Sequence, residues 1–143
     1  MIKIIAVGRV KEDYSKNAAA DYIARIKHYT KIDVIELKED TIEKEAAKIL
    51  EKIENKKYIV LDAAGKQFDS LEFTQFIKRE LLNNLDIVFV IGSSEGLSQE
   101  VIQKATNKIS LSRMTFAHGM CRVFLLEQIY RAFTIMNNQK YHK

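Results

Sequence analysis

The chain has 143 residues, 47% hydrophobic and 29% charged, with one cysteine and no proline. That composition suits one globular domain over residues 1–143 and excludes disordered, low-complexity and disulfide-framework proteins. Net charge is only +4 and unevenly placed: residues 1–111 hold 18 basic and 18 acidic side chains, while residues 112–143 hold Arg113, Arg122, Arg131, Lys140 and Lys143 against Glu127 alone.

Residues 2–7, IKIIAV, predict a short strand ending at Gly8. Residues 15–29 place Ala18, Ala19, Tyr22, Ile23, Ile26 and Tyr29 at helical spacing. IDVIEL (32–37) alternates as a strand does, and residues 41–54 form an amphipathic helix carrying Ile42, Ala46, Ile49, Leu50 and Ile53 on one face. YIVLD (58–62) reads as a buried strand and AAGKQFDS as a turn, with Ser70 or Asp69 capping a helix through about Leu82. DIVFVIG (86–92) is apolar throughout its middle, as a strand covered on both faces must be. After SSEGLS a helix runs to about Thr106 with Ser98 as N-cap, KISLS (108–112) is a fifth strand, and a last helix spans about Gly119 to Asn137. This β-α alternation predicts an α/β fold with a mostly parallel five- to six-stranded sheet and helices on both faces.

No apolar run approaches the ~20 residues a membrane span needs. The opening apolar segment is too short for a signal peptide, and a single cysteine fits a reducing cytoplasm.

In parallel sheets ligands bind beyond the carboxyl ends of the strands. Three such ends are rich in loop residues: Leu61 to Gly65, Gly92 to Gly96, and Leu111-Ser112-Arg113-Met114-Thr115-Phe116. Gly92-Ser-Ser-Glu-Gly96 is neither a dinucleotide fingerprint nor a Walker loop, and turn chemistry alone accounts for it. His118 and Cys121 lack the companions a metal site needs, so no metal is expected, and Cys121 at the head of an apolar helix reads as an inert packed thiol. The final helix is hydrophobic over most of its circumference yet carries Arg122, Glu127 and Arg131. Glu127 and Arg131 have the spacing of an ion pair, and the apolar surface points to burial or a homodimer contact. The basic C-terminal region suits a phosphate-bearing partner, the bland alternative being a solvated tail. Tyr141-His142-Lys143 reads either as a frayed end or as an aromatic and imidazole placed over a nucleic-acid base.

Taken together, "IIAVGRVKEDY", "IVLDAAGK", "DIVFVIG…GLS", "LSRMTFAH…R…LLEQIYRAF" and the terminal "YHK" resemble the RlmH-type 23S rRNA pseudouridine methyltransferases of the SPOUT class. The resemblance covers nearly the whole chain. It implies a C-terminal trefoil knot, a homodimer with its active site across the interface, and methyl transfer from S-adenosylmethionine to N3 of a pseudouridine on the assembled ribosome. By motif position it carries cofactor contacts to Leu61, Gly92, Leu111, Ser112, Arg113, Met114, Thr115 and Phe116. His118, Arg122, Glu127, Arg131, Tyr141 and His142 also match its motif positions. Their chemistry suggests phosphate or anion contacts for Arg122 and Arg131, with Glu127 orienting an arginine, and base contacts for Tyr141 and His142, the latter a candidate proton acceptor. Ser93 stands where the family usually has a second glycine, Ala117 where a proline often precedes the histidine, and Asn137 to Lys140 replace the usual approach to the tail. Two other readings fit the same scaffold: a non-catalytic ribosome- or RNA-binding module, and a flavodoxin-like nucleotide binder. The second requires a phosphate loop that the sequence lacks.

Overall fold

Strand-forming residues alternate between two apolar clusters, and that alternation builds the molecule. The computed structural model describes residues 1–117 and 119–143; His118, singled out above, lies outside the described residues. On β1 (Ile2–Val7), Ile2, Ile4 and Ala6 pack into one cluster while Ile5 and Val7 pack into the other. On β4 (Ile87–Ile91), Ile87 and Phe89 divide from Val88 and Val90 in the same way. Side chains of period two that are buried on both sides require helices on both sheet faces.

Five strands form one sheet in the order β2-β1-β4-β3-β5, every pairing parallel, with β2 at Ile32–Leu37, β3 at Ile59–Gln67 and β5 at Asn107–Ser110. α1 (Asp13–Ile26), α3 (Ser70–Asn83) and α5 (Met120–Met136) cover one face, with α5 touching both α1 and α3. α2 (Ile42–Ile53) and α4 (Gln99–Lys104) pack together on the other. Leu125, Leu126 and Ile129 of α5 are fully buried, each contributing roughly 1.5–3 kcal/mol of transfer free energy.

Local chemistry sets the helix starts. The Thr41 side chain accepts from the Lys44 N–H at the head of α2, and Ser98 accepts from Val101 N–H ahead of α4. Asp69 and Glu72 form a reciprocal capping box at α3, with bonds of 2.7 and 2.9 Å; loss of such a cap costs about 1 kcal/mol.

Strand β3 departs from expectation. The segment read as a turn after Asp62 remains extended to Gln67. Leu61 and Lys66 both stand opposite Ile109, so the intervening residues bulge away at the carboxyl edge before the strand rejoins β5. Gly65 permits the return: a Cβ there would lie 2.7 Å from the Lys108 carbonyl carbon. Helix α1 also starts and stops earlier than its apolar spacing suggests. Tyr29, beyond its end, still stacks on Phe133.

Candidate active site

The bulge of β3 and the carboxyl ends of β4 and β5 meet the first turn of α5 around a cavity of about 380 Å³. Small-molecule sites typically span ~300–1,000 Å³. Leu61, Gly92, Leu111, Ser112, Met114, Thr115 and Phe116 all line it, together with Asp62, Cys121 and Arg122. Arg113, expected beside them, is exposed and outside the lining.

The loop after β4 has little freedom. A Cβ on Gly92 would sit 2.9 Å from both the Gly96 carbonyl carbon and Leu97 Cγ. Gly96 adopts φ +83° and its N–H donates to the Ser93 carbonyl at 2.9 Å. Gly92 therefore lets two backbone stretches lie against each other at the cavity wall. Ser93, the departure from the family pattern, is accommodated: its hydroxyl accepts from Glu95 N–H at 3.3 Å and lies 3.5 Å from a carboxylate oxygen of the buried Glu45. On the opposite wall the Ser112 hydroxyl accepts from Met114 N–H, and Phe116 meets Phe124 edge-to-face at 5.1 Å.

Arg122 is not on the outer surface. Its side chain is 7% exposed; one terminal nitrogen donates to Glu36 at the end of β2 and the other to the Gly8 carbonyl, 3.0 Å away, at the end of β1. Its Nε is buried with no partner among the described residues. The arginine thus ties two strand ends to the helix turn that walls the cavity. Next to it, burial pushes the Cys121 thiol up to about 11. Iodoacetamide at pH 8 should consequently modify Cys121 on the order of 100-fold more slowly than a free peptide cysteine, with full reactivity restored in guanidinium; modification of the folded protein at the peptide rate would contradict this.

The remaining candidates assemble elsewhere. The C-terminal residues fold back onto α1 and α5 rather than fraying. Arg131 Nε donates to Glu127 at 2.8 Å, and its guanidinium lies 4.8 Å from the Tyr141 ring centre. The Tyr141 hydroxyl is 3.2 Å from that of Tyr22, and its ring packs edge-on against Tyr130 at 4.7 Å. Tyr29 donates to Gln139, which anchors the approach to the tail. The bond and charge of Glu127 hold the Arg131 guanidinium above its ordinary range, while burial, then the bond to Tyr22, pushes the Tyr141 phenol up. His142 Nδ1 lies 3.1 Å from an Arg131 terminal nitrogen. Arginine has only donors, so Nδ1 accepts and the neutral ring carries its proton on Nε2. The imidazole therefore offers a donor on its free side.

Arg122 and Arg131 are nine residues apart on α5, about 14 Å along the axis at 1.5 Å per residue. The cavity and the Tyr141–His142 cluster therefore lie at different levels along α5. Three residues that the sequence reading did not single out matter here: Glu36, Tyr22 and Asp62. Only Asp62 had a local signal, its position at a strand end beside Leu61. Among the described residues, no three His, Cys, Asp or Glu side chains gather as metal ligands would, and no helix is long and apolar enough to cross a membrane.

A parallel α/β sheet with its cavity at the strand carboxyl ends defines a class of ligand-binding domains. Its fold resembles that of a probable methylase family protein from Haemophilus influenzae Rd KW20, with a TM-score of 0.56 at 12% identity, covering 99% of this chain and 70% of that one. Residues 1–142 match the family model described as "Predicted SPOUT methyltransferase". The chain is 43% identical over 154 residues to Ribosomal RNA large subunit methyltransferase H of Caldicellulosiruptor saccharolyticus, covering 100% of both. It is 41% identical over 157 residues to Ribosomal RNA large subunit methyltransferase H 1 of Clostridium perfringens (strain SM101 / Type A), covering 99% of both. The chain belongs to the SPOUT methyltransferase family.

Proposed function

We propose that the protein is an S-adenosylmethionine-dependent methyltransferase acting in the cytoplasm on large-subunit ribosomal RNA, with N3 of a pseudouridine in the assembled ribosome as acceptor. The observation that carries this is the cavity walled by three strand-end loops in a chain similar along its whole length to ribosomal RNA methyltransferases. Its dimensions and mostly neutral, backbone-rich walls suit a nucleoside-sized ligand, and Gly92 keeps the backbone close enough to serve as that wall. Leu61, Gly92, Leu111, Ser112, Met114, Thr115 and Phe116 would hold the cofactor; Arg113, in the same segment, is exposed and outside the lining. When bound, S-adenosylmethionine supplies an electrophilic methyl group.

The acceptor nitrogen must lose its proton as the N–C bond forms. Tyr141, a phenol that burial pushes up further, is protonated across the neutral range, and His142 presents Nε2–H. Both therefore act as donors to the uracil oxygens, holding the negative charge that develops beside N3 while the proton passes to solvent. Arg131, paired with Glu127, holds His142 through Nδ1 and lies over the Tyr141 ring, and so orients both donors. Arg122 shapes the wall from behind.

The separation along α5 favours a shared site in a twofold homodimer, in which Tyr141 and His142 of the partner subunit close over the cavity. The partly exposed Phe124 and the apolar circumference of α5 suit such a contact. The family's knotted threading of the C-terminal segment belongs to the same proposal.

Transfer of labelled methyl groups to purified ribosomes tests the reaction; no incorporation into 23S rRNA, with intact cofactor binding, rejects it in favour of a non-catalytic binding module. The shared site has its own test. His142→Ala alone and Gly92→Val alone should each be nearly inactive. Equimolar subunit exchange between them should restore about a quarter of wild-type activity, since half the dimers are mixed and each mixed dimer has one intact composite site. A mixture as inactive as its parents would assign each site to a single subunit.

A further inference from the structure

The cavity's charge balance assigns a further residue. Two of the described lining residues carry a formal charge, Asp62 and Arg122. Arg122 is neutralised in place by Glu36. Asp62 is not: its one hydrogen bond is from Ala64 N–H, at 3.3 Å, to Oδ1, and it makes no ion pair among the described residues. It is half-buried within β3, in the bulge between Leu61 and Lys66. The described walls therefore present one uncompensated negative charge. A partly desolvated carboxylate beside low-dielectric walls favours a cation well above what it would in bulk water.

We propose that Asp62 is a specificity-determining residue that selects a cationic methyl donor over its neutral demethylated product. This rests on the cofactor reading above. The donor carries a sulfonium in addition to its amino-acid zwitterion, net +1, while the thioether left after transfer has net charge zero. Every hydrogen-bonding group is common to the two, so the loops at Gly92 and Leu111–Phe116 hold them alike. A fixed charge is the feature of the cavity that distinguishes them. Spent cofactor is then released in favour of fresh donor, with no change in the shape of the site.

Calorimetric titration of the full-length protein with S-adenosylmethionine and with S-adenosylhomocysteine tests this. Asp62→Asn should weaken the donor about tenfold and the product less than about twofold, and Asp62→Glu should keep most of the wild-type preference. Sinefungin, whose amine replaces the sulfonium as a cation, should follow the donor. In the unmutated protein, raising sodium chloride from 50 to 500 mM should weaken the donor and leave the product unchanged, which requires no variant to fold. Equal losses for donor and product, or no loss for either, together with salt-independent donor binding, would overturn the assignment to Asp62 while leaving the cofactor reading intact. Wild-type protein that binds neither ligand would overturn both.

Discussion

Gly92→Ala should lower affinity for S-adenosylmethionine by at least about 100-fold, equivalent to roughly 2.7 kcal/mol. The added Cβ would fall 2.9 Å from a backbone carbon and from Leu97 Cγ. The backbone contact is not the far end of a flexible side chain that can swing aside, so one of the two loop strands must move. That displacement separates Ser93 from Gly96, breaks their 2.9 Å bond and reshapes the wall on which the proposed adenosine lies. Overpacking of this kind also costs about 1–3 kcal/mol in stability. Calorimetry and a thermal melt together check the result: affinity within threefold of wild type in a folded variant would mean that the β4 loop does not form the binding wall.

The second large effect concerns Glu36 and Arg122, and it is asymmetric. Glu36 has a side chain 41% exposed, whereas that of Arg122 is 7% exposed. Removing the arginine leaves a carboxylate that water can reach. Removing the carboxylate leaves a guanidinium charge inside the protein, with the Gly8 carbonyl as its acceptor among the described residues and an Nε that has no partner among them. Glu36→Ala should therefore cost about 3 kcal/mol, lowering Tm by roughly 10 °C for a domain of this size. Arg122→Met should cost about half as much, and adding it to Glu36→Ala should recover stability instead of losing more. Thermal unfolding of the three variants decides it; equal single losses that add in the double variant would show that the pair behaves as a surface ion pair.

Much of this architecture was readable from local pattern. IKIIAV reads as a strand and DIVFVIG as one covered on both faces, and the apolar spacing of residues 41–54 marks α2. Ser98 and Asp69 signal their caps by residue type. The turn expected over residues 63–70 fails because Lys66 and Gln67 rejoin the sheet opposite Ile109 and Ser110, some forty residues later, and the residues before them are taken up as a bulge in the strand. The three loop stretches were legible because strand ends in parallel sheets collect ligands; the eight individual residues came from motif position in the resemblance, and seven of them line the cavity. Arg113 lies in the same motif, but its side chain faces solvent, a matter of loop direction that composition does not encode. The Glu127–Arg131 pair follows from i,i+4 spacing. Arg122's real partners do not, since Glu36 and Gly8 lie 86 and 114 residues away. The tail misleads for a related reason: Lys-rich and terminal, it reads as frayed, yet Tyr141 is held by Tyr22, 119 residues earlier.

Those long spans bear on how the chain acquires its shape. During synthesis β1 and β2 emerge first, and the arginine that clamps their ends comes more than eighty residues later. Until α5 has been made, the apolar face of the sheet that includes Ile2, Ile4 and Phe89 lacks its central cover. Non-local closure of this kind slows folding, and exposed apolar strands aggregate in the interval. The cavity, walled in part by the first turn of α5, is thus among the last features to form.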